Sequence, residues 1–438
     1  MKEADIHIDT LAFGGSGVGR IDGKVCFVPM SCPGDTLRVR ITAEKRSYLT
    51  ADIVEIAEPS PRRVIPVCPL FGSCGGCGWQ HVEYSCQLES KRQIMASALL
   101  RGVRISDSQI ADVMPSPQQY NYRSRVQFKL HFDGRGLKIG FFRHGSHIVA
   151  NADDGCPIAL PLINESLQRF RSVLAYFPVP SAIFQITIDT AEQGAVAIIH
   201  CNGGDAGRVA AFFSDRNADL EPLTGLYLQV GRTSSIRSIF GDDRLVYSMP
   251  KNTPQSGSCS LAFRAGGFSQ VNSSQNRTIL ALVRAFSDFN PDTRLLDLYC
   301  GNGNFSLPFA GCVASITGIE EYPASIAAAI DNGCRNGIHN AEYICADTVT
   351  GVRRLADNGR RFDTVILDPP RSGAADAIGE IARLEPDKIV YISCDPSTLA
   401  RDCGLLASRG YHVQSCVPVD MFPQTYHLES VTVLQRGL

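Results

Sequence analysis

The run RLLDLYCGNGN, residues 294–304, decides the fold: a short apolar strand carrying an acid gives way to two glycines one residue apart. Working toward the C-terminus, SITGIEE (315–321), AEYICAD (341–347), FDTVILDPP (362–370) and KIVYISCDP (388–396) repeat the alternation of buried strand and helical spacing. A final pair of strands follows in YHVQSCVPV (411–419) and ESVTVLQR (429–436). This alternation predicts an α/β fold with a doubly wound, mostly parallel sheet, in which ligands bind beyond the carboxyl ends of the strands. The residue at each strand end therefore matters more than the strand.

Toward the N-terminus the texture changes. Residues 1–60 alternate short β-rich runs (VCFVPM, TLRVRI, TADIVEI) with glycine turns, which predicts a small all-β barrel. Pro59, Pro61, Pro66 and Pro69 mark a linker into a cysteine-rich loop, and CQLESKRQIMASALLR (86–101) has helical spacing. Strand-like runs dominate from about 120 to 265, so the expected units are a barrel (1–60), a central β-rich domain (61–265) and the α/β domain (266–438). Lys and Arg nearly balance Asp and Glu, 42 against 44, so any nucleic-acid surface must be local. The start MKEADIHIDTLAFGG lacks an export pattern and no run reaches membrane-spanning length, so a cytoplasmic protein without membrane contact is expected. In that compartment sixteen cysteines imply metal binding, catalysis or packing rather than disulfides.

Five strand ends are chemically loaded. After the first, Ser306 stands where a dinucleotide fingerprint has its third glycine, so the loop instead resembles the one with which class I methyltransferases hold S-adenosylmethionine. Glu320 ends the second strand, where an acid can accept from ribose hydroxyls, and Asp347 ends the third, where an acceptor can meet an adenine amino group. Singly, each acid reads as a solvated surface residue; their succession argues for a cofactor crevice. The fourth strand ends at Asp368 and the fifth at Cys394. A thiolate that adds to carbon 6 of a uracil places charge on carbon 5, which can then accept a methyl group. Loss of the carbon 5 proton needs a base from another segment, and Glu429, before the last strand, is placed for it. Cys300, Cys312, Cys334, Cys345, Cys403 and Cys416 read as core residues, and His427 as a structural one.

DPPRSG (368–373), YISC (391–394) with its downstream Pro-Ser-Thr, DMFPQTYHLE (420–429) and FSQVN (268–272) together resemble the RNA uracil-5-methyltransferases, which methylate uridines in ribosomal or transfer RNA. The resemblance spans nearly the whole chain. It implies Cys394 as nucleophile, Glu429 as base and Asp368 as a contact to the target uracil, with Gln270, Tyr299, Asn304, Glu320 and Asp347 as S-adenosylmethionine contacts. Barrel and cysteine loop together resemble the branch acting on 23S ribosomal RNA; transfer RNA is the alternative substrate. Asp395 stands where many relatives have Asn, and an acid beside the thiol is expected to raise its pKa. Amino-group methylation of a purine, which needs no cysteine, and a non-catalytic RNA-binding protein are the rival readings.

Cys68, Cys74 and Cys77 lie in a glycine-rich loop, and Cys156 is the best fourth ligand, with Cys86 as a substitute. Spacing alone leaves zinc open; the resemblance implies a four-iron four-sulfur cluster on the first four. Between Tyr120 and His147, Arg123, Arg125, Lys129, Arg135, Lys138 and Arg143 stand against one acid, Asp133, with aromatics interleaved. That pattern fits a single-strand RNA surface as well as an amphipathic strand. The barrel resembles a small RNA-binding barrel, with Lys45, Arg46 and Tyr48 as contacts, and a monomer is expected.

Overall fold

The computed structural model describes residues 2–134, 136–231, 236–251 and 257–437. Strands β1 (Glu3–Leu11), β2 (Gly17–Ile21), β3 (Lys24–Val28), β4 (Thr36–Glu44) and β5 (Tyr48–Glu58) close a barrel in the order β1-β2-β3-β5-β4. Period-two alternation points Ile6, Ile8, Val28, Leu37, Val39 and Leu49 into its core. Gly19 is required there, because a Cβ at that position would stand 2.0 Å from the His7 carbonyl oxygen.

After the cysteine loop comes α1 (Tyr84–Gly102). A second sheet is built from β6 (Arg125–Phe132), β7 (Leu137–Phe142), β8 (Val149–Asn151), β9 (Ile183–Ala191), β10 (Gly194–Cys201), β11 (Leu223–Val230) and β12 (Arg237–Gly241). Its order is β12-β11-β10-β9-β6-β7-β8, antiparallel except for β10 beside β11. Helix α2 (Pro161–Leu174) covers it with Ile163, Leu167, Phe170 and Leu174, one stripe at helical spacing, and α3 (Ala206–Ser214) adds Val209 and Phe213. A separate hairpin, β13 (Arg244–Pro250) with β14 (Ser258–Arg264), follows.

The C-terminal part contains α4 (Ser273–Ser287), β15 (Arg294–Leu298), β16 (Ser315–Glu320), α5 (Pro323–Arg335), β17 (Ala341–Cys345), α6 (Thr348–Asp357) and β18 (Thr364–Leu367). It continues with α7 (Ala375–Arg383), β19 (Lys388–Ser393), α8 (Pro396–Ala407), β20 (Tyr411–Val419) and β21 (Glu429–Arg436). The sheet order is β17-β16-β15-β18-β19-β21-β20, with β15 to β19 parallel and β21 antiparallel to both neighbours. This is the doubly wound α/β sheet expected from the strand pattern. Leu295, Ile366 and Val390 pack toward Ile279, Leu280 and Val283 of α4, while Leu296, Val365 and Ile389 pack on the other face with Val352, Ile378 and Leu399. Burial on both faces explains the continuous apolar runs.

Helix α1 joins this last body. Ile94, Met95 and Leu99 share a core with Leu399 and Cys403 of α8, and the following segment runs along β20, with Ala111 N donating to the Cys416 carbonyl at 2.9 Å. Cys300, Cys403 and Cys416 are buried as expected, but Cys334 and Cys345 are exposed and Cys312 half-buried. Cys345 ends the edge strand β17 and Cys334 lies just past the buried Gly333, so neither reaches a core. Among the described residues no helix is long and apolar enough to cross a membrane.

Candidate active site

The parallel strands direct their carboxyl ends to one side of the sheet, where a cleft of about 960 Å³ opens. Gln270, Tyr299, Glu320, Asp368, Cys394 and Glu429 line it, and so do Cys68, Cys74, Cys77 and Cys156. Asn304 and Asp347 do not.

Cys394 follows β19 and Glu429 opens β21. Ser393 pairs with Ser430 in the antiparallel ladder joining these strands. Cys394 directly follows this pair and Glu429 directly precedes it, near enough for the carboxyl's charge to act on the thiol. Burial pushes the Cys394 thiol up to about 12, with the charges of Glu429 and Asp368 adding and Arg371 opposing. Glu429 is buried; desolvation holds its pKa well above the usual carboxylate range, and Asp368 raises it further against the pull of Arg371. Burial raises Asp368 to about 7, with Asp297 adding to the effect. The expected influence of Asp395 on the thiol takes another form. Its carboxylate caps α8, accepting from Ser397 N at 2.9 Å and Thr398 N at 3.0 Å, and the acids acting on Cys394 are Glu429 and Asp368.

The sequence reading gave no role to one residue of the cleft, Arg371, and read another, His427, as structural. Arg371 is the cation that acts on both Cys394 and Glu429, and the signal for it was its place directly after Asp368-Pro369-Pro370. His427 lines the cleft, its ring centroid 4.2 Å from that of Tyr426. Burial, then Arg371, Lys91 and Arg123, pushes its pKa down to about 4, so the ring is neutral at neutral pH.

On the other side of the cleft Tyr299 adopts φ +62°, a strained backbone for a side chain, followed by Gly301 at +53° and Gly303 at +85°. Glu320 holds this turn: Oε2 accepts from Gly301 N at 3.1 Å and Oε1 from Tyr322 N at 3.0 Å. Asn304 turns inward, exchanging two 2.9 Å amide bonds with Asn276 and accepting from the Tyr247 hydroxyl at 3.1 Å. Asp347 is exposed and caps α6, accepting from Thr350 N at 3.0 Å. Gln270 is placed by its neighbours, since Ser124 N donates to the Val271 carbonyl at 2.8 Å and Arg125 Nη2 to the Gly267 carbonyl at 2.5 Å.

The four expected metal-binding cysteines share one wall of the cleft, and Cys77 lies near enough to Cys68, Cys74 and Cys156 to feel their charge. Among the described residues no three His, Cys, Asp or Glu side chains converge as ligands of a single metal ion. Cys86 stands apart from this wall, buried in the core with its sulfur hydrogen-bonded to Cys32.

The expected RNA-facing strip is partly spent internally. Arg125 pairs with Asp189 and Lys129 with Gln185, while Lys138 binds Asp133 at 2.9 Å. Arg123 lines the cleft, Arg143 is exposed, and Arg135 lies outside the described residues. In the barrel Lys45 and Arg46 are exposed, and Tyr48 sets its ring edge to face with Phe27 at 5.6 Å.

Comparison with known proteins agrees with this geometry. The TRAM domain model matches residues 2–54, and the model described as tRNA (uracil-5-)-methyltransferase matches 83–437. The 23S rRNA (uracil(1939)-C(5))-methyltransferase RlmD of Alkalilimnicola ehrlichii is 32% identical over 99% of this chain and 96% of its own. An uncharacterized RNA methyltransferase of Thermosynechococcus vestitus is 33% identical over 98% of this chain and 97% of its own. The crystal structure of Pyrococcus abyssi tRNA (uracil-54, C5)-methyltransferase with S-adenosyl-L-homocysteine shares the fold, with a TM-score of 0.76 and 24% identity over 98% of this chain and 100% of that one. The chain belongs to the tRNA (uracil-5-)-methyltransferase family.

Proposed function

We propose that this enzyme methylates carbon 5 of a specific uridine in 23S ribosomal RNA, with Cys394 as nucleophile, Glu429 as base and Asp368 as the contact to the uracil. The observation that carries the mechanism is the pairing of Ser393 with Ser430, whose chain neighbours Cys394 and Glu429 both line the cleft, the carboxyl near enough to act on the thiol. The names of the full-length relatives support ribosomal RNA as substrate, and the TRAM match at 2–54 supports an RNA grip by the barrel. Bound S-adenosylmethionine supplies the electrophilic methyl group. Gln270, Tyr299 and Glu320 line the side of the cleft suited to hold it; Asn304 and Asp347 support that side, through the amide pair with Asn276 and the cap of α6.

The chain's own steps follow. Cys394 passes its thiol proton to solvent water and its sulfur bonds to carbon 6 of the uracil, moving the electrons of the 5,6 double bond toward carbon 5 and the carbon 4 oxygen. Carbon 5 takes the methyl group and still bears its hydrogen. Glu429, once its own proton has passed to solvent, takes that proton as the carboxylate; the C–H electrons rebuild the double bond, and the carbon–sulfur pair returns to Cys394. A base whose pKa is held high by burial suits removal of a carbon-bound proton. Reaching Cys394 requires the uridine to be unpaired or flipped from its stack.

Cys68, Cys74, Cys77 and Cys156 fit a four-iron four-sulfur cluster. A single zinc ion needs four sulfurs ~2.3 Å from one centre, whereas a cluster binds each cysteine at a separate iron and so accepts a wider set. That all four line the cleft, with Cys77 near enough to the other three to feel their charge, supports the cluster. Methylation needs no redox step, and these residues then serve folding or RNA placement. We read the chain as three units, 1–60, 61–265 and 266–438, with α1 lent by the second to the third, acting as a cytoplasmic monomer. The deciding experiment uses 5-fluorouridine in transcripts of 23S ribosomal RNA and of transfer RNA. Wild-type enzyme should stay covalently attached to the ribosomal transcript and Cys394→Ala should not; capture on transfer RNA alone would move the substrate, and undiminished methylation by Cys394→Ala would end the mechanism.

A further inference from the structure

The stretch that carries Glu429 into the cleft, residues 420–428, has no regular secondary structure. One face of α1 holds it at three points. Tyr84, Gln87 and Lys91 fall at helical spacing on that face. Lys91 Nζ donates to Asp420 Oδ1 at 2.5 Å and to the Phe422 carbonyl at 3.1 Å, and the Tyr84 hydroxyl donates to Asp420 Oδ2 at 2.8 Å. Gln87 and Gln424 are tied twice: Gln87 Nε2 donates to Gln424 Oε1, and Gln424 N donates to Gln87 Oε1, both at 3.0 Å. The hold is needed, because Gln424 adopts φ +69°, a conformation that persists only where its surroundings over-determine it.

Both side chains of the Lys91–Asp420 pair have zero solvent exposure. Such a pair adds little net stability, because desolvating two charges offsets most of their attraction and an apolar replacement is often as stable. What it supplies is a single geometry. None of Tyr84, Gln87, Lys91 and Asp420 lines the cleft. We infer that Lys91, with Tyr84 and Gln87, forms the positioning machinery of the base, fixing residues 420–428 so that Glu429 reaches the hydrogen on carbon 5; this rests on the role proposed for Glu429 above.

The inference has a signature that general destabilisation lacks. Glu429 acts only after the methyl group has arrived, when the carbon 5 proton leaves and the carbon–sulfur bond breaks. A misplaced base therefore leaves a methylated enzyme–RNA adduct waiting. The test is single turnover with methyl-labelled S-adenosylmethionine and an unmodified 23S ribosomal RNA transcript, reading label in the detergent-stable adduct and in released RNA. Lys91→Met combined with Asp420→Asn removes both charges together and leaves no lone buried charge; Gln87→Leu and Tyr84→Phe are milder, and Glu429→Gln is the reference. The double variant and Gln87→Leu should raise the adduct fraction ~10-fold or more while total methyl transfer stays within about threefold of wild type. If methyl transfer and release instead fall in parallel with the folded fraction, the positioning role is overturned and the contacts serve stability alone. If Glu429→Gln itself releases product at the wild-type rate, the role of Glu429 fails instead. Should the double variant not fold, Gln87→Leu decides with the same two outcomes.

Discussion

The Asp368 carboxyl lies close enough to the buried Glu429 to push that acid's pKa up beyond what burial alone achieves. Arg371 pulls the other way but does not cancel the effect. The folded protein therefore holds a proton on Glu429 that the unfolded chain releases near pH ~4.3. Above that pH the folded state binds more protons than the unfolded one, so this site's contribution to stability falls as pH rises toward the folded pKa, by at most about 1.4 kcal/mol per unit. Glu429→Gln removes the titration. Its denaturation midpoint should match wild type near pH ~4 and exceed it by a growing margin toward pH ~8. A margin that does not change between those limits would contradict the burial of this carboxyl.

The thiol of Cys394 makes a parallel case. Burial, then Glu429 and Asp368, raise it to about 12, so in the free enzyme it is protonated at neutral pH and activation must come with the substrate. Alkylation of Cys394 by iodoacetamide without RNA, followed peptide by peptide, should climb ~10-fold per pH unit with no plateau below pH ~10. Glu429→Gln should move the curve to lower pH. A wild-type plateau near the ordinary cysteine value of about 8.5 would mean that the cleft does not suppress the thiolate.

The strand ends were legible because strands buried on both faces read as unbroken apolar runs, and Tyr299, Glu320, Asp368 and Cys394 stand where those runs stop. Pairings between distant residues were not. Lys91 and Asp420 are 329 positions apart, and nothing local marks either as half of a buried pair. Helix α1 was visible as a helix, yet its face gives no hint that it packs on α8 rather than on the sheet that follows it. Asp395 and Asp347 were read through their charge, whereas both spend it on a helix N-terminus, a use that depends on where the following helix starts.

Asn304 and Asp347 separate support from contact. Asn304→Ala would leave the amide of Asn276 without its partner, at a cost of about 1–3 kcal/mol, and would loosen the turn through the shared Tyr247 hydroxyl. Asp347→Ala should lower the melting temperature slightly by uncapping α6 and leave affinity for S-adenosylhomocysteine nearly unchanged. Glu320→Ala, by contrast, should weaken that affinity far more than it weakens the fold. Calorimetric titration beside thermal melts distinguishes these; an Asp347→Ala enzyme that lost binding as strongly as Glu320→Ala would make Asp347 a direct contact.

The cysteine wall supports the last prediction, because Cys156 comes from a different segment than Cys68, Cys74 and Cys77 yet lines the same side of the cleft. If these four hold a cluster, protein purified without oxygen should carry about four irons and four sulfides per chain. Cys156→Ser should lose them, and Cys86→Ser should not, since Cys86 is committed to Cys32 in the core. Loss of the cluster should lower the melting temperature and the affinity for RNA. Binding of S-adenosylhomocysteine should change little, because Gln270, Tyr299 and Glu320 are carried by segments after residue 266. Zinc in place of iron, or a Cys86→Ser protein without metal, would overturn the assignment, and full stability in metal-free protein would remove any structural role for the wall.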